Sequence, residues 1–150
     1  MKILNFVLYL VLCLSSAYSS SFEVFQREYI FTNSSGSERV ITQGLNTCVS
    51  VILFNPENTE LIVSHLDARV DVELALKKFI SLMGENVELK AWIAGGQKDS
   101  SVKLFKNVSE YLSNYSKIDI IETRQNISLN TSINLAFDFD SEDVDFNDSS

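Results

Sequence analysis

Two residues in this chain could together perform nucleophilic catalysis. Cys48 is the only cysteine beyond the first twenty residues, and His65 is the only histidine in the protein. Between them lie two apolar, β-branched runs, residues 48–54 and 60–65, flanking Asn55-Pro56-Glu57-Asn58. Asn and Pro suit the first two positions of a type I turn, so the stretch reads as a β-hairpin. With a symmetric loop over residues 55–58, Phe54 pairs with Thr59 and Cys48 lands directly opposite His65, on one face of the sheet. An imidazole beside a thiol lowers the thiol pKa and supplies a thiolate, the activation step of cysteine nucleophilic catalysis. A loop one residue shorter would put the two side chains on opposite faces, leaving a buried strand cysteine and an incidental histidine.

The residues just before the thiol suit a supporting role. Gly44 allows a bend at Gly44-Leu45-Asn46, because a residue without a Cβ reaches backbone conformations that others resist. Backbone N–H groups in that bend, or at Cys48 itself, are candidates for an oxyanion hole. Asp67 shares the face of His65 if the strand continues, where it could orient the imidazole or receive a substrate ammonium.

These residues carry a family resemblance. The run Thr42-x-Gly44-Leu45-x-Thr47-Cys48-Val49, with Asn55-Pro56 and Ser64-His65 following, resembles the T-x-G-L-G-S-C-V, D-P and A-H elements of the chemoreceptor glutamine deamidases (CheD-type). Ala91-Trp92-Ile93-Ala94-Gly95-Gly96 is similar to their K-I-A-G-G segment. Thr47-Cys48, His65-Leu66-Asp67 and residues 93–96, followed by Lys98-Asp99, also resemble the protein N-terminal asparagine amidohydrolases. The resemblance implies an α/β/β layered domain and a cofactor-free Cys-His deamidase acting on a protein or peptide. Thr42 would then be the third site residue beside Cys48 and His65, with Asp67, Gly44, Asn46 and Thr47 on the substrate side. The deamidases' later G-G-N-R-G-R segment is absent, with Thr123-Arg124-Gln125-Asn126 near its place, which argues against docking to chemoreceptors.

The rest of the chain must position this hairpin. Residues 21–31 read as a strand, residues 33–37 as a loop and residues 38–43 as a short strand leading into the bend. Residues 70–83 carry a helical stripe of Val72, Leu76, Phe79 and Met83, ended by Gly84. Residues 87–94 alternate as a half-buried strand running into Gly95-Gly96. A second helix follows, with Asp99 or Ser100 as N-cap, reaching about residue 114, with Val102, Phe105, Val108 or Ser109, and Leu112 inward. Residues 117–123 and 132–140 close the domain as strands, and residues 141–150 read as an acidic mobile tail.

Composition sets limits. At 150 residues and 45% apolar content, with five glycines and one proline, the chain has the makings of one globular core. A formal charge of −8 without a basic cluster repels phosphate backbones and anionic lipid, so nucleic acid is an unfavourable partner. Residues 1–20 have one charge, Lys2, then an apolar run over residues 3–14 and a small-residue stretch. That is the layout of a cleaved secretory signal peptide, and the run is short for a bilayer span. Cys13 lies within it, so the mature chain would keep one thiol and be periplasmic or secreted. Six Asn-x-Ser sequons, at Asn33, Asn107, Asn114, Asn126, Asn130 and Asn147, would be glycosylated after export through an endoplasmic reticulum and mean nothing in a bacterium.

The sequence therefore predicts a monomeric α+β domain over residues 21–140, with six to seven mostly antiparallel strands and two helices. Its expected chemistry is hydrolysis of an Asn or Gln carboxamide, needing neither metal nor cofactor. A transglutaminase or protease outcome from the same pair, or a secreted binding module without turnover, is the alternative.

Overall fold

The computed structural model describes residues 21–34, 38–97, 101–126, 128 and 130–149. The predicted leader, with Cys13, lies outside the described residues, as do Asp99 and Ser100, the expected caps of the second helix. The described residues form nine strands and two helices, an α+β domain in three layers. Two of the layers are sheets.

The five-stranded sheet is the middle layer. It comprises β2 (Tyr29–Asn33), β4 (Val49–Asn55), β5 (Glu60–Leu66), β6 (Leu89–Gln97) and β7 (Ile118–Asn126), in the order β2-β5-β4-β6-β7. On one face lie α1 (Val72–Met83) and α2 (Val102–Ser113). Leu76, Phe79, Ile80 and Met83 of α1 and Leu104, Val108 and Leu112 of α2 pack against Val49, Val51, Leu53, Ile62, Ala91 and Ile93. On the other face lies the four-stranded sheet of β1 (Ser21–Glu23), β3 (Arg39–Leu45), β8 (Ser132–Asp138) and β9 (Asp143–Ser149), in the order β1-β3-β8-β9. Ile52, Phe54, Leu61, Val63 and Trp92 meet Val40, Leu45, Ile133, Leu135 and Phe137 between the sheets. Phe54 and Phe137 pack at a tilt with ring centroids 4.9 Å apart, and Trp92 meets Phe137 edge-on at 5.8 Å.

This layering corrects several expectations. β6 is not half-buried: Trp92 and Ala91 point to opposite faces and both are covered, because a middle sheet has no solvent face. The expected strand over residues 21–31 is broken into β1 and β2 by a turn in which Arg27 takes φ 68°. In α2 the inward stripe runs through Leu104, while Val102 is exposed. Ser101 is the N-cap, yet its hydroxyl accepts from the Gln97 backbone N–H at 3.2 Å instead of capping the helix.

The acidic tail is the largest correction. Residues 143–149 form β9, paired along its length with β8. Val144 and Phe146 alternate with carboxylates and pack on the inter-sheet core, while Asp145 and Asp148 meet Arg39 and Arg124 at 3.0 and 3.1 Å. Composition hides a period-two pattern when the outward residues are all polar and mostly acidic.

The hairpin also closes differently. Its loop is residues 56–59, one step later than expected, because Asn55 pairs with Glu60 while its side chain accepts the Glu57 N–H at 2.9 Å, and Thr59 absorbs a φ of 58°. Every cross-strand pair moves by two. Ser50, not Cys48, is opposite His65. An even shift preserves faces, so Cys48 and His65 remain on the same side, one diagonal step apart, about 7–8 Å in an ideal ladder.

Candidate active site

His65 is held on both edges of its strand. On one side it pairs with Ser50; on the other its N–H donates to the Glu28 carbonyl at 3.0 Å and its carbonyl accepts from the Arg27 N–H at 2.8 Å. Its ring points between the sheets, 5% exposed, and meets Thr42 from β3. Thr42 Oγ1 lies 2.7 Å from the Val24 carbonyl oxygen and 2.8 Å from His65 Nδ1. A carbonyl only accepts, so the threonine proton goes to Val24, and Nδ1–H donates to the threonine oxygen. This assigns the neutral imidazole one tautomer and reserves the Nε2 lone pair for taking a proton.

Cys48 lies at the entrance to β4, 7% exposed and unpaired in any disulfide. Two glycines explain its placement. Gly96 N–H donates to the Cys48 carbonyl at 2.8 Å, and a Cβ on Gly95 would overlap that same oxygen. Gly95 and Gly96 take φ of 101° and 68°, so the close approach of β6 to the thiol's backbone needs residues without side chains.

The bend before the thiol is tied down as well. Asn126 Nδ2 donates to the Leu45 carbonyl at 3.0 Å and the Thr131 carbonyl at 2.8 Å, Asn46 Nδ2 donates to Thr131 at 3.1 Å, and Gln97 donates to the Asn46 side chain. Asn126 is 3% exposed, so a glycan there is incompatible with the folded domain. Gly44, at φ 70°, gives its N–H to the Asn134 side chain at 2.8 Å, and the Asn46 N–H goes to the Gly44 carbonyl at 2.8 Å. Neither N–H is therefore available for an oxyanion. Cys48's own N–H remains the candidate, with Thr47, exposed beside it, hydrogen-bonding the thiol.

Asp67 follows His65 by two residues. The hairpin register, carried one step past its last pair, sets it opposite Cys48. Its Oδ2 accepts from Arg27 Nε at 2.6 Å and Gln26 Nε2 at 3.1 Å, and its Oδ1 accepts from the Arg69 N–H at 2.9 Å. Arg27 thus meets the carboxylate that sequence reasoning left open for the imidazole or for substrate. The Arg27 hydrogen bond, helped by Arg69 and Gln26, holds the Asp67 carboxyl below the usual carboxylate range against the opposing effect of burial.

These surroundings set the resting protonation. Burial, reinforced by the Asp67 charge, pushes the Cys48 thiol up, with Thr47 and Arg27 opposing. Burial pushes His65 down, with the Val24 carbonyl and Asp67 opposing. The pair at rest is a neutral thiol and a neutral imidazole, not the preformed thiolate expected from their adjacency. A direct consequence is measurable: iodoacetamide should alkylate Cys48 slowly at pH 7 and faster only as pH rises through and beyond the usual thiol range. A fast rate already level at pH 6 would mean a thiolate–imidazolium pair. For turnover, the acid limb should lie below pH 6.5, because His65 loses its proton earlier than a free imidazole does.

Among the described residues no cluster of three or more His, Cys, Asp or Glu side chains could hold a metal ion, and no helix is long and apolar enough to cross a membrane. A groove of ≈ 650 Å³ runs between α1 and α2, lined by Val70, Asp71, Lys103 and Tyr111 among others. It belongs to the helical face and includes neither Cys48 nor His65. Sequence reasoning missed Val24, Arg27, Ser50 and the reason for Gly95-Gly96. Ser50 was within reach, since it alternates with Cys48 on one strand face.

No model of a known protein family matches the chain. Over 91 residues it is 28% identical to the protein N-terminal asparagine amidohydrolase of Arabidopsis thaliana, a match covering 59% of this chain and 26% of that protein. Over 92 residues it is 26% identical to an uncharacterized protein of Rickettsia conorii, covering 57% and 56%. The chain thus spans about a quarter of the first relative's length and about half of the second's. Among solved structures, the hypothetical protein YfiH of Bacillus licheniformis aligns with TM-score 0.48 at 10% identity, over 79% of this chain and 67% of its own. The sequence match to an amidohydrolase is distant and leaves about three quarters of that protein unmatched.

Proposed function

We propose that this protein is a cysteine-dependent deamidase that hydrolyses an asparagine or glutamine carboxamide at the N-terminus of a protein or peptide. One observation carries the reading. Thr42 and Val24 occupy the Nδ1 side of His65, leaving Nε2 as base, and Cys48 lies on the same sheet face one diagonal step away.

The neutral pair dictates the order of events. Nε2 takes the thiol proton as Sγ attacks the carboxamide carbon, so charge separation occurs with substrate in place. The tetrahedral oxyanion is received by the Cys48 N–H. The imidazolium then protonates the departing nitrogen, ammonia leaves, and a thioester remains. His65 removes a proton from water as it attacks, and collapse returns the carboxylate product and the free thiol.

Asp67 supports the N-terminal choice. An ionised carboxylate offers about four acceptor positions, and three are filled by Arg27, Gln26 and Arg69. The remaining position on Oδ1 is suited to a substrate ammonium beside the thiol. Because Arg27 already answers much of the charge, the gain is modest. A peptide with free N-terminal Asn should outpace its N-acetylated form by about tenfold in kcat/KM, and Asp67→Asn should shrink that ratio. Ammonia release from both peptides checks it. Equal rates would remove the N-terminal reading and leave an internal glutamine as the substrate.

A further inference from the structure

The Ser50 hydroxyl is a polar group beside His65 that the scheme above does not use. Ser50 is fully buried, and among the described residues its Oγ has no hydrogen-bond partner. It stands directly opposite His65 across the hairpin and opposite Ala94 on its other side. Along β4 it shares a face with Cys48, two residues before it. A buried hydroxyl without a partner is destabilising relative to alanine, and the other neighbours on this face, Ile52, Val63, Trp92 and Ala94, are apolar. Nothing in the packing asks for an oxygen at this point. A need that arises during the reaction would account for it.

The position suggests which step. Cys48 stands at the entrance to β4, whereas Ser50 lies one residue pair deeper, beside the imidazole and closed to solvent. Ser50 and its cross-strand partner Ala94 are both small side chains, so what could be accommodated between them is a small polar molecule and not a peptide amine. We infer that Ser50 is the water-positioning residue of the second half-reaction: its hydroxyl and His65 Nε2 together hold the water that attacks the Cys48 thioester.

The inference rests on the deamidase reading and deepens it, because it decides why the thioester goes to water and not to an amine. The step balances. Water's oxygen forms the new bond to the acyl carbon, its proton passes to Nε2, the carbon–sulfur bond breaks, and the proton returns to the thiolate. Ser50 enters as a hydrogen-bonding partner of the water and exchanges no bond of its own. In this arrangement hydrolysis is favoured by a site too small for the competitor.

The test separates the two half-reactions in the full chain. With a peptide bearing N-terminal Asn, the Ser50→Ala variant should release a first equivalent of ammonia per thiol at close to the wild-type rate and then slow by at least about tenfold. Intact mass should show the acyl-enzyme accumulating on Cys48. With hydroxylamine added as a small competing nucleophile, the ratio of hydroxamate to acid should rise by a similar factor. Removing an orphan hydroxyl should leave the melting temperature unchanged or higher, a sign opposite to that of a residue kept for packing. An unchanged product ratio, or a first-equivalent rate that falls as much as the later ones, would overturn the assignment. A wild-type protein releasing no ammonia, with folded Ser50→Ala equally silent, would instead overturn the deamidase reading and this step with it.

Discussion

Cys48→Ser should leave the melting temperature within a few degrees of the wild-type value and lower ammonia release from N-terminal Asn or Gln peptides by about 10³-fold or more. The swap changes one buried atom at the entrance to a strand, so neither core loses packing. The chemistry loses far more. A serine hydroxyl needs its proton removed at the moment of attack and is a poorer nucleophile than sulfur, and a lone histidine tuned for a thiol does not make up the difference. His65→Ala should fall as far, whereas Thr42→Val should fall less, because it frees the imidazole to adopt the wrong tautomer part of the time without removing the base. A Cys48→Ser protein that keeps more than a few per cent of the activity would place the nucleophile elsewhere.

The second large effect is structural. Gly95→Ala should destabilise the domain by about 3 kcal/mol or more, and the surviving folded protein should be nearly inactive. Alanine resists a φ of 101°, and its methyl would overlap the Cys48 carbonyl oxygen and crowd Leu45 at 3.1 Å. Relief requires β6 to move off β4 at the residue that carries the thiol. Gly44→Ala is the control: it is strained at φ 70° but meets nothing within 4 Å, so it should cost about 1 kcal/mol. Thermal or urea unfolding of the two variants gives the comparison, and similar losses would show that strain, not close approach, dominates at Gly95.

What was legible in the sequence followed local periodicity. The helical stripe of Leu76, Phe79 and Met83, the alternation of Ile133, Leu135 and Phe137, and the turn around Pro56 each depend on neighbours a few residues away, and each element exists. The hairpin register did not yield so directly. Asn55 serves both as a paired strand residue and as a turn acceptor, and nothing in composition decides between loops that start at Asn55 or at Pro56. The face of Cys48 and His65 was nonetheless correct, because moving the loop by one residue shifts the cross-strand pairing by two. β9 was missed because its carboxylates find Arg39 and Arg124 from other strands. The same limit hid the Arg27–Asp67 pair, 40 residues apart in sequence and dependent on a left-handed turn at Arg27. Protonation was the least legible feature. Adjacency of thiol and imidazole argues for a thiolate, whereas burial of both, visible only in the folded chain, argues for the neutral pair.

The most direct measurement of the central claim is mass spectrometry of Asn- and Gln-bearing peptides incubated with the protein, with free and with iodoacetamide-blocked Cys48. The account predicts a gain of about one dalton, as carboxamide becomes carboxylate, at the N-terminal residue and only with the free thiol. Peptides left at their starting mass by the unblocked protein, or converted equally well by the blocked one, would contradict it.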